Sequence, residues 1–286
     1  MRPLALLVLA LAAPGSAEPA ASAALDFSSL SAPAQRELSQ ALADEFCGCG
    51  APHTLAACVQ NHTACRHSRR LAQLAASFAA LGATASELGV MLAHYNLSFR
   101  EPRAKLPIDE RMCVGDPKAA VTLAEFADFE CPICGASRPV LESFVRERAG
   151  KVRLCYLPFP LPQHANALPA GQAALFARDQ GKFWAVHDAL FENQKRLSPD
   201  VIRELLDRAG LSGAAWAKAA AKGAYTEELE RFRQAGVAAK IQGTPTVFIN
   251  GRILEFTPTA DALQLALDDE QEWQAHRGTW TADVTR

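Results

Sequence analysis

The sequence predicts an α/β domain that carries a helical insertion, preceded by a small cysteine-rich all-α region. Three observations predict it. Strand, helix and strand patterns follow one another between residues 121 and 156, the unit that builds a parallel pair with a crossover helix. From residue 165 to 239 the pattern is almost entirely helical, and two short strand patterns joined by Asn250-Gly251 then close the domain. Upstream, apolar residues recur at helical spacing around Cys47, Cys49, Cys58 and Cys65.

Taken in order, Arg2, an apolar stretch over residues 4–13 and the small residues Gly15-Ser16-Ala17 have the form of a signal peptide, with cleavage expected after Ala17. The apolar stretch is too short to span a bilayer. Residues 18–30, rich in Ala, Ser and Pro, read as a flexible leader. Ser31 and Pro33 open a helix running to about residue 46. Leu71, Leu74, Phe78 and Leu81 form a second helical stripe, and Thr84 with Glu87 makes a capping-box pattern before Leu88, Met91, Leu92 and Tyr95. Residues 31–99 therefore read as a cysteine-rich helical region, and 100–112, with its prolines and charges, as a linker.

The α/β domain is expected over 113–270. A strand over 121–126 leads into Cys131-Pro132-Ile133-Cys134, a helix over 134–149 stops at Gly150, and a second strand spans 152–156. Inside the helical stretch, Ser198-Pro199 and Ser212 are start signals, while Gly181 and Gly210 are stops. Strands over 246–249 and 252–256 flank the Asn-Gly turn, and a final helix follows Pro258 to about residue 270, leaving 271–286 as a tail. The whole chain of 286 residues has a formal net charge of -2, with neither a basic patch for nucleic acid nor a polyacidic tract.

Two cysteines three apart at a helix start can close a small disulfide ring. The first sulfur then sits where backbone N–H groups and the helix dipole stabilise a thiolate, the form that attacks a disulfide. Cys131 is expected to be the exposed, attacking cysteine and Cys134 the partner that resolves a mixed disulfide. A zinc site would need a second ligand pair, and the domain offers only Cys113 and Cys155, far apart in sequence. Asp128 and Glu130 read as exposed charges at the strand end.

The stretch Glu125-Phe126-Ala127-Asp128-Phe129-Glu130-Cys131-Pro132-Ile133-Cys134 resembles the active-site region of the DsbA-like family of bacterial thiol–disulfide oxidoreductases. Gln242-Gly243-Thr244-Pro245-Thr246-Val247-Phe248 resembles the family's second signature, a loop carrying a cis-proline, and Gly181-Lys182-Phe183-Trp184 with His187-Asp188 resembles its helical insertion. The resemblance implies a thioredoxin-like fold with the insertion at about 165–239. It implies that Pro245 is cis beside the two sulfurs and that Thr244 offers its backbone to an extended substrate. It also implies that Glu125 is a buried acid able to pass protons, a role for which burial suits a carboxyl group by raising its pKa. Strongly oxidising members often carry His before the second cysteine. Ile133 stands there instead, which implies a less stabilised thiolate and a weaker oxidant.

For Cys47, Cys49, Cys58 and Cys65 three readings stand: two structural disulfides, a metal site with the interleaved His53, His62 and His67, or a second redox centre. Cys113 and Cys155 are placed so that they can bridge, or leave Cys155 as a buried free thiol. His164, His187 and His276 read as isolated surface or helix-packing residues. Phe176, Phe183, Trp184 and Phe191 read as core, with part of the group available to line a groove.

The expectation is a periplasmic or extracellular enzyme exchanging disulfides with unfolded exported proteins as an oxidase, reoxidised by a membrane partner. It needs no cofactor and no metal, binds no nucleic acid and is not an integral membrane protein. The same fold run as a reductase or isomerase is the first alternative. The second is a metal- or partner-binding protein with a vestigial redox domain.

Overall fold

A computed structural model describes residues 25–61 and 65–280. The expected signal peptide and His62 lie outside the described residues. Four helices come first: α1 (Ala32–Asp44), α2 (Leu55–Asn61), α3 (Arg66–Ala80) and α4 (Ala85–Ser98). Ser31 caps α1 by accepting from the Ala34 N–H, and Thr84 and Glu87 form a reciprocal capping box on α4. Leu25, Phe27 and Leu30, in the stretch read as a flexible leader, pack against the same core, because three apolar side chains find an apolar surface there.

The α/β unit holds a five-stranded sheet, β1 (Cys113–Val114), β2 (Val121–Ala127), β3 (Val152–Pro158), β4 (Thr246–Ile249) and β5 (Arg252–Leu254), in the spatial order β1-β3-β2-β4-β5. Strands β2 and β3 are parallel and every other pair is antiparallel. The crossover between the parallel strands is α5 (Pro132–Glu147). Five further helices, α6 (Ala167–Arg178), α7 (Phe183–Glu192), α8 (Pro199–Arg208), α9 (Gly213–Ala220) and α10 (Thr226–Ala238), separate β3 from β4, and α11 (Ala260–Ala275) ends the fold. The two-residue edge strand β1 escaped the sequence reading because two residues carry no periodicity.

Alternation along the strands divides the core. Val121 and Leu123 of β2 join α5, α11 and the N-terminal helices, whereas Ala124 and Phe126 face the insertion. The stretch read as a linker is held rather than free: the Ala104 N–H donates to Gly251 O at 2.8 Å, and Met112 is fully buried. The N-terminal helices meet the α/β unit at two adjacent acids of α11. Asp269 pairs with His67 at 3.0 Å and with Arg70, and accepts from Tyr95 Oη at 3.0 Å. Burial works against that charge, yet His67 and Arg70 hold the Asp269 carboxyl below its ordinary value. Glu270 pairs with Arg103 at 3.0 Å and with the fully buried Arg252 at 3.2 Å, and the Arg252 guanidinium stacks on Phe99.

Removing one partner of such a buried pair strands the other charge in a low-dielectric interior. Glu270→Ala is expected to lower the unfolding free energy by about 3–5 kcal/mol. A Glu270→Gln change is expected to cost less, because it keeps an acceptor. Urea unfolding of both variants against the wild-type chain measures the difference.

Candidate active site

The site is built where β2 ends and α5 begins. Cys131 is the N-cap of α5, and Pro132 occupies the first turn, where its missing N–H costs nothing. The helix therefore starts two residues before the sequence reading placed it, with both cysteines at its tip. Antiparallel pairing of β2 with β4 sets Phe126 opposite Thr246, which brings the segment before β4 up to the same tip. The Thr244-Pro245 peptide is cis, and the Cys131 thiol lies 3.3 Å from Thr244 O. Cys131 and Cys134 are both free thiols; Cys131, expected to be exposed, is buried at 5% exposure because the cis-proline loop lies over its sulfur, and Cys134 is fully buried. Ile133 between them is exposed.

Glu125 falls on the α5 side of β2 by the same alternation that points Leu123 there. Its carboxyl is buried, Oε1 has no hydrogen-bond partner, and burial first, then the charge of Glu142, raises its pKa to about 8. Burial likewise pushes the Cys134 thiol far above its ordinary value, and the Glu125 charge adds to the shift. Glu142 of α5 is itself raised, by burial and by Asp188, although Arg138 opposes this.

Two residues read as exposed charges turn out otherwise. Asp128 is buried, and its carboxylate accepts from the Glu130 N–H at 2.7 Å, the Leu161 N–H at 2.7 Å and His164 Nδ1 at 2.9 Å. Glu130 accepts from the backbone and side chain of Asn166. The physical reason is that a loop turning from strand to helix leaves N–H groups unpaired, and these carboxylates satisfy them. His164 is accordingly a partner of the loop, and His187 is buried against Phe129 and Tyr156. Phe183 and Phe191 are buried in that same aromatic cluster.

Sequence reasoning missed Gln194. Its Nε2 donates to Phe129 O and Cys131 O, each at 2.8 Å, tying the insertion to the loop. A Cβ on Gly135 would come within 2.7 Å of Gln194 Oε1, so any larger residue there would push the Gln194 amide aside. The signal was slight: a lone polar residue inside an insertion, 63 positions from the carbonyl it holds.

The remaining cysteines pair as Cys113–Cys155, Cys47–Cys58 and Cys49–Cys65. The first bridge joins β1 to β3 across a register that sets the two residues opposite each other. Of the histidines weighed as metal ligands, His67 is committed to Asp269 and Asn96.

Comparison with known proteins gives a consistent picture. A family profile described as Thioredoxin matches residues 108–269. The chain is 26% identical over 170 residues to a probable disulfide bond formation protein D of Bacillus anthracis, covering 55% of this chain and 76% of that protein. It is 33% identical over 150 residues to the Na(+)/H(+) antiporter NhaA 3 of Salinispora tropica, covering 51% of this chain but only 23% of the antiporter. The chain thus spans about a quarter of the length of such antiporters. The crystal structure of oxidised BdbD from Bacillus subtilis superposes with a TM-score of 0.52 at 18% identity, covering 59% of this chain and 98% of that one, a likeness of fold. Among the described residues no helix is long and apolar enough to cross a membrane. With its parallel pair, its crossover helix tipped by two cysteines and its facing cis-proline loop, the chain belongs to the thioredoxin family.

Proposed function

We propose that this chain is an exported thiol–disulfide oxidoreductase that oxidises protein thiols through the Cys131–Cys134 pair. The observation that carries the reading is the Cys131 sulfur at a helix N-cap, 3.3 Å from the Thr244 carbonyl. A thiolate there is stabilised by the helix N-terminus, and an extended chain can pair with the Thr244 backbone while its sulfur meets Cys131. In the oxidised enzyme a substrate thiolate attacks the Cys131 sulfur. A substrate–Cys131 bond forms, the Cys131–Cys134 bond breaks, and Cys134 leaves with the electron pair. A second substrate thiolate then attacks the substrate sulfur of that mixed disulfide. Cys131 departs as a thiolate, and the substrate carries away the new disulfide.

Glu125 can serve the proton side of this exchange. With its pKa near 8 the carboxyl is mostly protonated at neutral pH, so it can hand a proton to the Cys134 sulfur as that sulfur leaves. The clients of this reading are partly folded exported proteins, and a membrane-bound oxidant restores the disulfide. Ile133 favours a second reading as a reductase or isomerase, since an apolar neighbour does less than an imidazole to stabilise the thiolate.

Cys131→Ser is expected to abolish oxidation of a dithiol peptide, while Cys134→Ser should accumulate a mixed disulfide on Cys131. Equilibration with glutathione buffers measures the potential. A value above about -200 mV agrees with an oxidase, and one near that of a dedicated reductant, about -270 mV, rejects it.

Glu125 gives a pH signature of its own. After correction for the substrate's thiolate fraction, the oxidation rate should fall above about pH 8 as the carboxyl ionises, and this break should vanish in Glu125→Gln. Stability carries the same sign. The folded-state pKa is raised, so the contribution is whole below about pH 4.5 and lost as pH rises through about 8. Complete ionisation corresponds to up to about 5 kcal/mol. Glu125→Gln should therefore be more stable than wild type at pH 9, and thermal unfolding across pH 4–9 reads this directly.

A further inference from the structure

The N-terminal helices hold a second concentration of sulfur, apart from the site above. The side chains of Cys47, Cys49, Cys58 and Cys65 converge on one hydroxyl. Ser68 Oγ lies 2.9 Å from Cys65 Sγ, 3.3 Å from Cys47 Sγ, 3.4 Å from Cys58 Sγ and 3.8 Å from Cys49 Sγ. The sulfurs of Cys47, Cys49 and Cys65 all lie within 4.8 Å of one another, although they belong to two different disulfides. Two bridges serving only as staples have no need to share one centre.

Accessibility is graded across the cluster. Cys58 and Cys65 are fully buried and Cys47 nearly so, whereas Cys49 is half-buried and the most accessible residue of the four. Phe46, the neighbour of Cys47, is 75% exposed. The sulfur bonded to Cys49 is the N-cap of α3: Cys65 Sγ accepts from the Ser68 N–H as well as lying beside the Ser68 hydroxyl. A thiolate formed at Cys65 would sit at the positive end of a 15-residue helix, with the Ser68 N–H aimed at it and the Ser68 hydroxyl beside it. The hairpin carrying Cys47 and Cys49 is held against α3, since a Cβ on Gly48 would fall 2.6 Å from the His67 ring.

We propose that these four cysteines form a second thiol–disulfide exchange centre, with Cys49 as the entry sulfur, Cys65 as the leaving sulfur and a protein dithiol as the partner. The partner's thiolate attacks Cys49 Sγ. A partner–Cys49 bond forms, the Cys49–Cys65 bond breaks, and the electron pair leaves on Cys65. The partner's second thiolate then attacks its own sulfur in the mixed disulfide. Cys49 leaves as a thiolate, and each cysteine recovers one of the two protons given up by the dithiol. In sum one dithiol is oxidised and the Cys49–Cys65 bridge is reduced. If Cys65 attacks Cys47 Sγ before it is reprotonated, the Cys47–Cys65 bond forms, the Cys47–Cys58 bond breaks, and Cys58 leaves as the thiolate that takes up the proton instead. This internal exchange moves the bridge without net oxidation. Ser68 is the positioning residue, its hydroxyl turning toward whichever sulfur carries charge.

The test uses the full chain carrying Cys131→Ser and Cys134→Ser, so that its result does not depend on the central pair. Dithiothreitol is titrated into the folded protein, thiols are trapped by alkylation, and each cysteine is read by peptide mass while circular dichroism reports folding. The proposal expects two thiols to appear while the helical signal is intact, with Cys49 among them and one of the inner sulfurs as the other. Adding Cys65→Ser should place a glutathione adduct on Cys49 when the protein meets oxidised glutathione, with Cys47–Cys58 retained. Ser68→Ala should slow the opening by about tenfold. Four cysteines that stay bridged until the chain unfolds would overturn the proposal, as would opening of Cys47–Cys58 while Cys49 remains bonded to Cys65. Unchanged opening in Ser68→Ala would remove Ser68 from it.

Discussion

The arrangement turns on one contact, the Cys131 sulfur against the Thr244 carbonyl, between residues 113 positions apart. Neither segment can fix it alone. Pairing of β2 with β4 sets the distance along the strands, and the loop from Ala127 to Cys131 must then be stiff enough to hold the sulfur in place. Asp128 supplies that stiffness by gathering two backbone N–H groups and His164, and Gln194 adds a clamp from the insertion. The insertion therefore does more than cover the sheet: it reaches back to the loop that carries the chemistry. Rigid support of this kind is what allows a reactive group to be aimed rather than merely exposed.

A second constraint is charge in an apolar space. Cys134 and Glu125 are both raised by burial, and the Glu125 charge makes ionisation of Cys134 harder still. That environment matters to the redox step because the buried sulfur must gain or lose a proton whenever the disulfide opens or closes. Glu142 and Asp188 extend the acidic chain outward from Glu125, with Arg138 moderating it by contacts to both. Of these charges, Glu142 bears directly on Glu125, and Asp188 and Arg138 bear on Glu142.

Much of this was legible in the sequence, for identifiable reasons. The strand, CxxC and helix were readable because each has its own period and the motif joins them. Asn250-Gly251 marked a hairpin because Asn and Gly tolerate the positive φ that the tight turn requires, and both adopt it. Asp128 was misread because a carboxylate at a strand end resembles any surface charge until the loop that surrounds it is known. Gln194 was invisible because nothing local marks a side chain whose partners are backbone carbonyls elsewhere. The bond between Cys113 and Cys155 stayed open because a two-residue edge strand fixes it, and such a strand has no pattern. What escaped reading was tertiary pairing of polar groups; what was legible was periodicity and local turn chemistry.

The chain sets two sulfurs on helix N-caps, and their surroundings differ in an instructive way. At α5 the capping sulfur, Cys131, faces the cis-proline loop near the surface, and its partner Cys134 is buried over an acid. At α3 the order is reversed: the capping sulfur, Cys65, is buried beside a hydroxyl, and its partner Cys49 is the one near solvent. At α3 the Ser68 N–H points at the capping sulfur, whereas at α5 no cap bond reaches Cys131 and its thiol instead donates to Thr244 O. A helix N-terminus favours a thiolate at its cap, so in the exchange proposed above an attack on Cys49 would expel the sulfur that α3 stabilises. Asp269 of α11 then ties α3 to the α/β unit through His67 and Arg70, so both helix tips are held in one framework.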